Sequence, residues 1–188
     1  MKRIEAAFHP FPILETDRTR LRPISHDDVE DMYVYCSNPD VARHTTWEAH
    51  RSPEDTRQFI DFIVSRYEPG QVGVWGIEDR ASGRLIGTCD FVSWSSAHAR
   101  AEVGYALSAE FWNRGIMTEV VGRVLEFGFH ELDLERIEAK CLMENPGSAK
   151  VMEKAGMRFE GILRKYANIK GEFKDLKLYS ILREEFEA

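Results

Sequence analysis

The stretch from Ala101 to Glu119, AEVGYAL followed by SAEFWNRGI and MTE, decides how this chain is read. In its first part Ala101, Val103, Tyr105 and Leu107 alternate with Glu102, Gly104 and Ala106, the period of a β-strand. Arg114-Gly115 then stands directly before a helical pattern, in which Met117, Val120, Val121, Val124, Leu125 and Gly128 form an inner stripe ending near Glu131. A strand feeding a short loop into a helix start brings free backbone N–H groups and the positive end of the helix dipole to one point. Phosphate oxygens are what such a point holds. On the strand, an acid beside two of the smallest side chains leaves that face room for something other than protein.

Outward toward the C-terminus, Arg136 to Leu142 reads as a strand parallel to the first, because a helix supplies the crossover. Asn145-Pro146 opens the next helix and Gly156 closes it. Phe159 to Arg164 and Leu176 to Leu182 read as a closing hairpin around Lys170-Gly171. Toward the N-terminus, Val72 to Glu78 and Leu85 to Val92 form a hairpin joined by a turn at residues 79–84.

Two helices precede it. One spans Asp27 to Ser37, capped by Ser25 with Asp28. The other is announced by Ser52-Pro53-Glu54-Asp55 and carries Phe59, Ile60, Phe62, Ile63 and Tyr67 as its buried stripe. Between them His44, Trp47 and His50 either wall a substrate pocket or belong to an ordinary connection anchored by one tryptophan. Leu21 to Ile24 reads as a first short strand, and residues 1–18 as an N-terminal arm.

At 188 residues the chain has the length of one domain, spanning 1–188. Hydrophobic residues at 43% and interspersed charges at 30% describe a soluble globular protein rather than a disordered one. The net charge of -7 argues against nucleic acid as a direct partner and leaves a basic partner open. Cys36, Cys89 and Cys141 lie far apart inside apolar patterns, which fits buried free thiols in a reducing compartment better than disulfides or a metal site. No apolar run is long enough to span a bilayer, and the first residues lack the apolar core of a signal peptide, so the expected location is cytoplasmic, away from membranes.

Taken jointly and in this order, AEVGYAL, FWNRGIMTEV, NPGSAKVMEKAGM and RFEGILR resemble the GCN5-related N-acetyltransferase (GNAT) superfamily, and within it the ribosomal-protein N-terminal acetyltransferases. The resemblance covers Thr19 to Leu182. It implies an α+β fold: a twisted, mostly antiparallel sheet with one parallel, splayed strand pair and helices on both faces. It also implies acetyl-CoA as cofactor and an amine as acetyl acceptor. The coenzyme A pyrophosphate would rest on backbone N–H groups of Arg114, Gly115, Ile116, Met117 and Thr118, with Arg114 adding charge. Against the family pattern Arg/Gln-x-x-Gly-x-Gly/Ala, this chain has Trp112 and Met117 at the outer positions. The backbone donors survive that change, but a side-chain contact from the first position does not.

By the same resemblance the pantetheine arm lies in the strand gap and pairs with backbone near Leu107, and Asn145 helps to hold it. Lys154 approaches the adenosine phosphate. A helix cap and a solvated cation are the plainer roles of Asn145 and Lys154. Glu102 is the candidate general base, or a surface carboxylate. Ser148 either hydrogen-bonds or protonates the departing sulfur, or caps the first helical turn. Glu160 belongs to a family motif and serves the strand or the substrate rim. An acid that some ribosomal-protein acetyltransferases carry is missing at Tyr166-Ala167-Asn168, where Tyr166 is expected to line the acceptor pocket together with Trp47. Dimers are frequent in the branch, which implies a homodimer with aromatics such as Trp94 exposed to contribute.

The acceptor must attack as a neutral amine. An α-amino group is about 10 to 15% neutral at pH 7, a lysine below about 0.1%. A protein or peptide N-terminus is therefore the first expectation for the acceptor. A small amine (polyamine, amino acid or antibiotic) and a non-catalytic acyl-CoA-binding module are the alternatives.

Overall fold

The computed structural model describes residues 4–187. Eight strands, β1 (Leu14–Glu15), β2 (Thr19–Arg22), β3 (Trp75–Asp79), β4 (Leu85–Ser95), β5 (Arg100–Leu107), β6 (Arg136–Leu142), β7 (Arg158–Ile169) and β8 (Glu172–Leu182), form one sheet in the order β1-β2-β3-β4-β5-β6-β8-β7. Every neighbouring pair is antiparallel except β5 with β6. The helices are α1 (Val29–Cys36), α2 (Pro39–Ala42), α3 (Pro53–Ser65), α4 (Ile116–His130), α5 (Pro146–Lys154) and α6 (Arg183–Phe186). Among the described residues no helix is long and apolar enough to cross a membrane.

Consecutive strand residues point to opposite faces, and this sorts the core into two layers. Ile86 on β4 packs in a cluster with Val120, Val124 and Met152 of α4 and α5. Its neighbour Leu85 packs with Met32, Ile60 and Ile63 of α1 and α3 on the other side. The expected mixed fold, with helices on both faces and one parallel pair, is thus present. The helix starts follow their caps. Ser25 with Asp28 and Ser52 with Asp55 each form a complete capping box, and Pro53 and Pro146 occupy first-turn positions.

Some boundaries differ from expectation for identifiable reasons. The first anticipated strand, Leu21 to Ile24, lies two residues earlier as β2. Pro23 has no N–H to donate, and the N–H of Ile24 goes instead to the Tyr67 hydroxyl at 2.8 Å. β7 and β8 run on to the turn at Lys170 and Gly171, whose positive φ angles of 53° and 84° suit a tight hairpin. β1 and α2 were not anticipated. Residues 4–18 are packed rather than loose: Phe8 is buried 5.2 Å from the Trp75 ring and 6.0 Å from Phe127, and the Trp75 indole donates to the Pro12 carbonyl at 2.8 Å. Cys36, Cys89 and Cys141 are free thiols and buried.

One correction concerns the small face of β5. A Cβ on Gly104 would come within 2.6 Å of Val92 Cγ1, so Val92 fills the space directly over Gly104. The room lies elsewhere, in the plane of the sheet.

Candidate active site

β5 and β6 pair at Arg100 with Arg136, Ala101 with Ile137 and Glu102 with Glu138. The ladder then stops, although β5 continues to Leu107 and β6 to Leu142. Beyond Glu102 the two strands part, and a cleft of about 560 Å³ opens between them. Its walls come from β5, the following loop, the first turn of α4, residues Lys140 and Cys141 of β6, the first turns of α5, and Val41, His44 and Thr45 near α2.

The loop takes its shape from two left-handed residues, Asn113 at φ 60° and Gly115 at φ 76°. Gly115 is the N-cap of α4 and caps with no side chain. The Glu119 N–H makes the bond back to the Gly115 carbonyl at 3.2 Å. The N–H groups of Ile116, Met117 and Thr118 therefore have no partner within the helix. All three residues line the cleft, as does Gly115. This is an anion cradle at a helix N-terminus, and it fits a diphosphate.

A residue not anticipated from sequence holds the cradle in shape. Arg18 donates from Nη1 to the Arg114 carbonyl at 2.8 Å, and from Nε and its own backbone N–H to the Glu119 carboxylate at 2.7 and 3.0 Å. Burial alone would raise the Glu119 pKa, but hydrogen bonds from Thr16 and Arg18 outweigh it and hold it below the usual range. The one acid in the first turn of α4 is thereby neutralised beside the site where an anion would bind. Arg114 itself stacks its guanidinium 5.3 Å from the Phe111 ring centroid and is not among the lining residues.

On the opposite wall Asn145 caps α5, its Oδ1 accepting from the Ser148 N–H at 3.0 Å. The Asn145 amide keeps two N–H donors beyond that bond, so capping leaves it able to hold a ligand. The Ser148 hydroxyl lies 2.9 Å from the Tyr105 hydroxyl across the gap. Lys150 and, at the last position of α5, Lys154 also line the cleft. Leu107 lines the cleft, but its carbonyl accepts from the Trp112 indole at 2.8 Å. One of the two lone pairs of that carbonyl is thus used from within the chain, and the other stays free to accept.

The expected acceptor-side residues separate. The Glu102 carboxylate does not line the cleft; it accepts from Lys140 Nζ at 2.5 Å and from the Ser93 hydroxyl at 3.2 Å. Lys140 does line the cleft, with its side chain only 10% exposed. Burial would lower the Lys140 pKa, but the hydrogen bond and charge of Glu102 more than offset it, and the ammonium is held protonated above its ordinary range. Tyr166 is exposed, with Lys140 Nζ 5.1 Å over its ring. Trp47 packs against His50 and Phe59 in the core under α3 and is not among the lining residues. The pocket-wall reading of that loop holds for His44 and Thr45 instead. Burial, then the Arg43 charge, lowers the His44 pKa, so its imidazole is neutral at pH 7.

Two further expectations resolve structurally. Glu160 receives both Arg136 terminal nitrogens at 2.7 and 2.6 Å and the Ser180 hydroxyl at 2.6 Å, a cross-strand lock. Trp94 is not an exposed interface aromatic: it is partly buried, and its indole donates to Glu5 at 2.7 Å.

Comparison with known proteins agrees with the geometry. Residues 18–158 match the acetyltransferase (GNAT) domain family. The chain is 38% identical over 173 residues to a Bacillus subtilis protein named uncharacterized N-acetyltransferase YoaA, covering 92% of this chain and 98% of that one. It is 25% identical over 170 residues to the ribosomal-protein-serine acetyltransferase of Escherichia coli, covering 88% and 93%. A crystal structure of a GNAT-family acetyltransferase from Bacillus anthracis superimposes with a TM-score of 0.80 at 30% identity, covering 92% of this chain and 99% of that one. A parted parallel strand pair beside a bare helix N-terminus, together with these matches, places the chain in the GNAT family, as an acetyl-CoA-dependent N-acetyltransferase.

Proposed function

We propose that the acceptor is the α-amine of a peptide or protein N-terminus. The observation that carries this reading is the chemistry of the cleft wall. Its titratable side chains are His44, Tyr105, Lys140, Cys141, Lys150 and Lys154; no carboxylate is among the described lining residues, and the nearby Glu102 is engaged by Lys140. Such a wall suits an amine that needs little help to lose its proton. Deprotonating an α-amine at pH 7 costs about 1 kcal/mol, a lysine about 4 to 5. It also offers a polycation nothing to pair with. The ribosomal-protein-serine acetyltransferase among the relatives supports the same class. The overall charge of -7 suits a basic protein approaching from solution.

In this reading the backbone N–H groups of Ile116, Met117 and Thr118 hold the diphosphate of acetyl-CoA. Lys150 and Lys154 face its outer phosphates, and the Asn145 amide holds the arm. When bound, the thioester supplies the acyl carbon: the C–N bond forms, the C–S bond breaks with its electron pair going to sulfur, and the amine proton passes to water. Glu102 enters as the counterion of Lys140 rather than as the proton acceptor. Ser148 stands where its hydroxyl can donate a hydrogen bond to the departing sulfur. A homodimer, as in the branch, is part of the proposal and is measured by sedimentation.

The test is thiol release from acetyl-CoA against a panel of N-terminal peptides, Nα-blocked lysine peptides, polyamines and free amino acids. Peptides with free α-amines are expected to lead by kcat/KM. Turnover confined to polyamines or free amino acids refutes the acceptor class, and release with no amine at all leaves only a binding module.

A further inference from the structure

Tyr105 shares a parity with the buried residues Ala101, Val103 and Leu107 along β5, yet it lines the cleft and reaches across it. Its hydroxyl lies 2.9 Å from Ser148 Oγ and 3.3 Å from the Ser148 carbonyl oxygen, joining β5 on one side of the gap to α5 on the other. Ser148 is held a second time through its N–H, which donates to Asn145.

A serine hydroxyl has one proton and two acceptor sites, and a phenol is a stronger donor than an alkyl hydroxyl. The phenol has one proton and two acceptors within reach, and the shorter contact, 2.9 Å to Ser148 Oγ against 3.3 Å to the Ser148 carbonyl, is best made with the phenol donating and Ser148 Oγ accepting. Ser148 then keeps its own proton for a third partner. Burial raises the Tyr105 pKa, and the phenol remains a donor throughout the range in which the protein works. The Ser148 side chain is also in hydrogen-bond contact with the Cys141 thiol, itself raised by burial and a weak acceptor. A thiolate in the cleft outcompetes it.

We propose that Tyr105 is a positioning residue: by donating to Ser148 Oγ it aims the serine proton at the coenzyme A sulfur and stabilises the thiolate form of that sulfur. This rests on the acetyl-transfer reading of Ser148 given above. No proton changes owner in the step. The C–S electron pair goes to sulfur, and the thiolate is stabilised by a hydrogen bond, because a thiolate whose conjugate acid has a pKa near ~8.5 is too weak a base to deprotonate a serine. The Tyr105 to Ser148 bond also polarises the serine hydroxyl, strengthening its donation.

The experiment titrates the thiol of bound coenzyme A by its thiolate absorbance in the ultraviolet, subtracting the protein alone, in wild type, Tyr105→Phe, Ser148→Ala and the double variant. Calorimetry of coenzyme A binding and the melting temperature serve as controls. Tyr105→Phe is expected to lower the thiol ionisation constant in the complex by roughly two- to tenfold, the worth of one aimed hydrogen bond. Ser148→Ala is expected to lower it at least as much, and the double variant no further than Ser148→Ala. In turnover with the leading acceptor, kcat is expected to fall in Tyr105→Phe while KM for acetyl-CoA holds. A bound thiol that titrates in Tyr105→Phe as in wild type overturns the proposal, as does an additive double variant. Wild type that fails to bind coenzyme A overturns the acetyl-transfer reading instead.

Discussion

Gly115 is the residue on which the anion cradle turns, and replacing it by alanine separates backbone strain from steric fit. Its φ of 76° lies in the left-handed region, and a Cβ placed there would meet nothing nearer than Arg18 Nη2 at 3.6 Å, an ordinary contact. Space is available, so the cost is conformational: about 1 to 2 kcal/mol for an L-residue held left-handed. For a chain of this size each kcal/mol lowers Tm by about 2 to 4 °C, giving an expected loss of about 2 to 8 °C. Arg18 pins both flanks of the turn, through the Arg114 carbonyl and the Glu119 carboxylate. The loop is therefore expected to bear the strain in place rather than relax, with coenzyme A affinity falling less than about tenfold, the equivalent of 1.4 kcal/mol. Gly115→Asn is expected to lose less than Gly115→Ala, because asparagine visits this region more readily. Differential scanning fluorimetry and calorimetric titration with coenzyme A measure both terms. A Gly115→Ala protein that melts with wild type refutes the strain argument, and one that keeps its Tm but loses coenzyme A affinity more than tenfold refutes the clamp.

Two other substitutions probe the charged groups. Glu102→Gln leaves the largely buried Lys140 ammonium without its partner and is expected to cost about 1 to 3 kcal/mol at pH 7. Lys140 is held above its ordinary pKa, so this contribution is present below that pKa and lost as pH rises through the folded value; the gap between wild type and variant is expected to close in strong alkali, read by chemical denaturation. The pH profile of turnover should keep its shape, and a vanished acid limb would return Glu102 to the role of base. Glu160→Gln breaks the lock on Arg136 and Ser180. The Glu160 carboxyl is depressed to about 2, with the Arg136 hydrogen bond the largest cause and the Ser180 bond next. Its stabilisation is full above the ordinary carboxylate pKa and lost as pH falls toward 2. Because this group is partly solvated, a loss of about 0.5 to 1 kcal/mol is expected at neutral pH. Equal acid stability of the two proteins between pH 5 and 2 would exclude that linkage.

Much of the architecture was legible because local signals agreed with the global fold. Ser25 with Asp28, Ser52 with Asp55, and Asn145-Pro146 cap helices in the structure as their sequences demand. The loop before α4 delivers free N–H groups where Arg114-Gly115 places them. What escaped was either too short to be periodic or depended on distant partners. α2 carries the same Asn-Pro opening as α5, but four residues show no apolar period. Arg18 clamps a loop nearly a hundred positions away, and Glu102 is neutralised from β6 by Lys140. Tyr105 shares the parity of Val103 and Leu107, which are buried, and nothing in the pattern sets it apart from them. Alternation assigns a face but cannot register that the neighbouring strand has departed and left the ring beside a void.

That departure has a consequence for the fate of the protein as well as its chemistry. An interrupted ladder is an edge inside a sheet, where β5 and β6 no longer bond to each other's backbone beyond Glu102 and Glu138. A substrate whose arm supplies those missing rungs acts as a temporary ninth strand. It binds the folded chain and not the unfolded one, so by mass action it lengthens the life of the folded form. The enzyme's abundance in a cell would then follow supply of the very molecule it consumes.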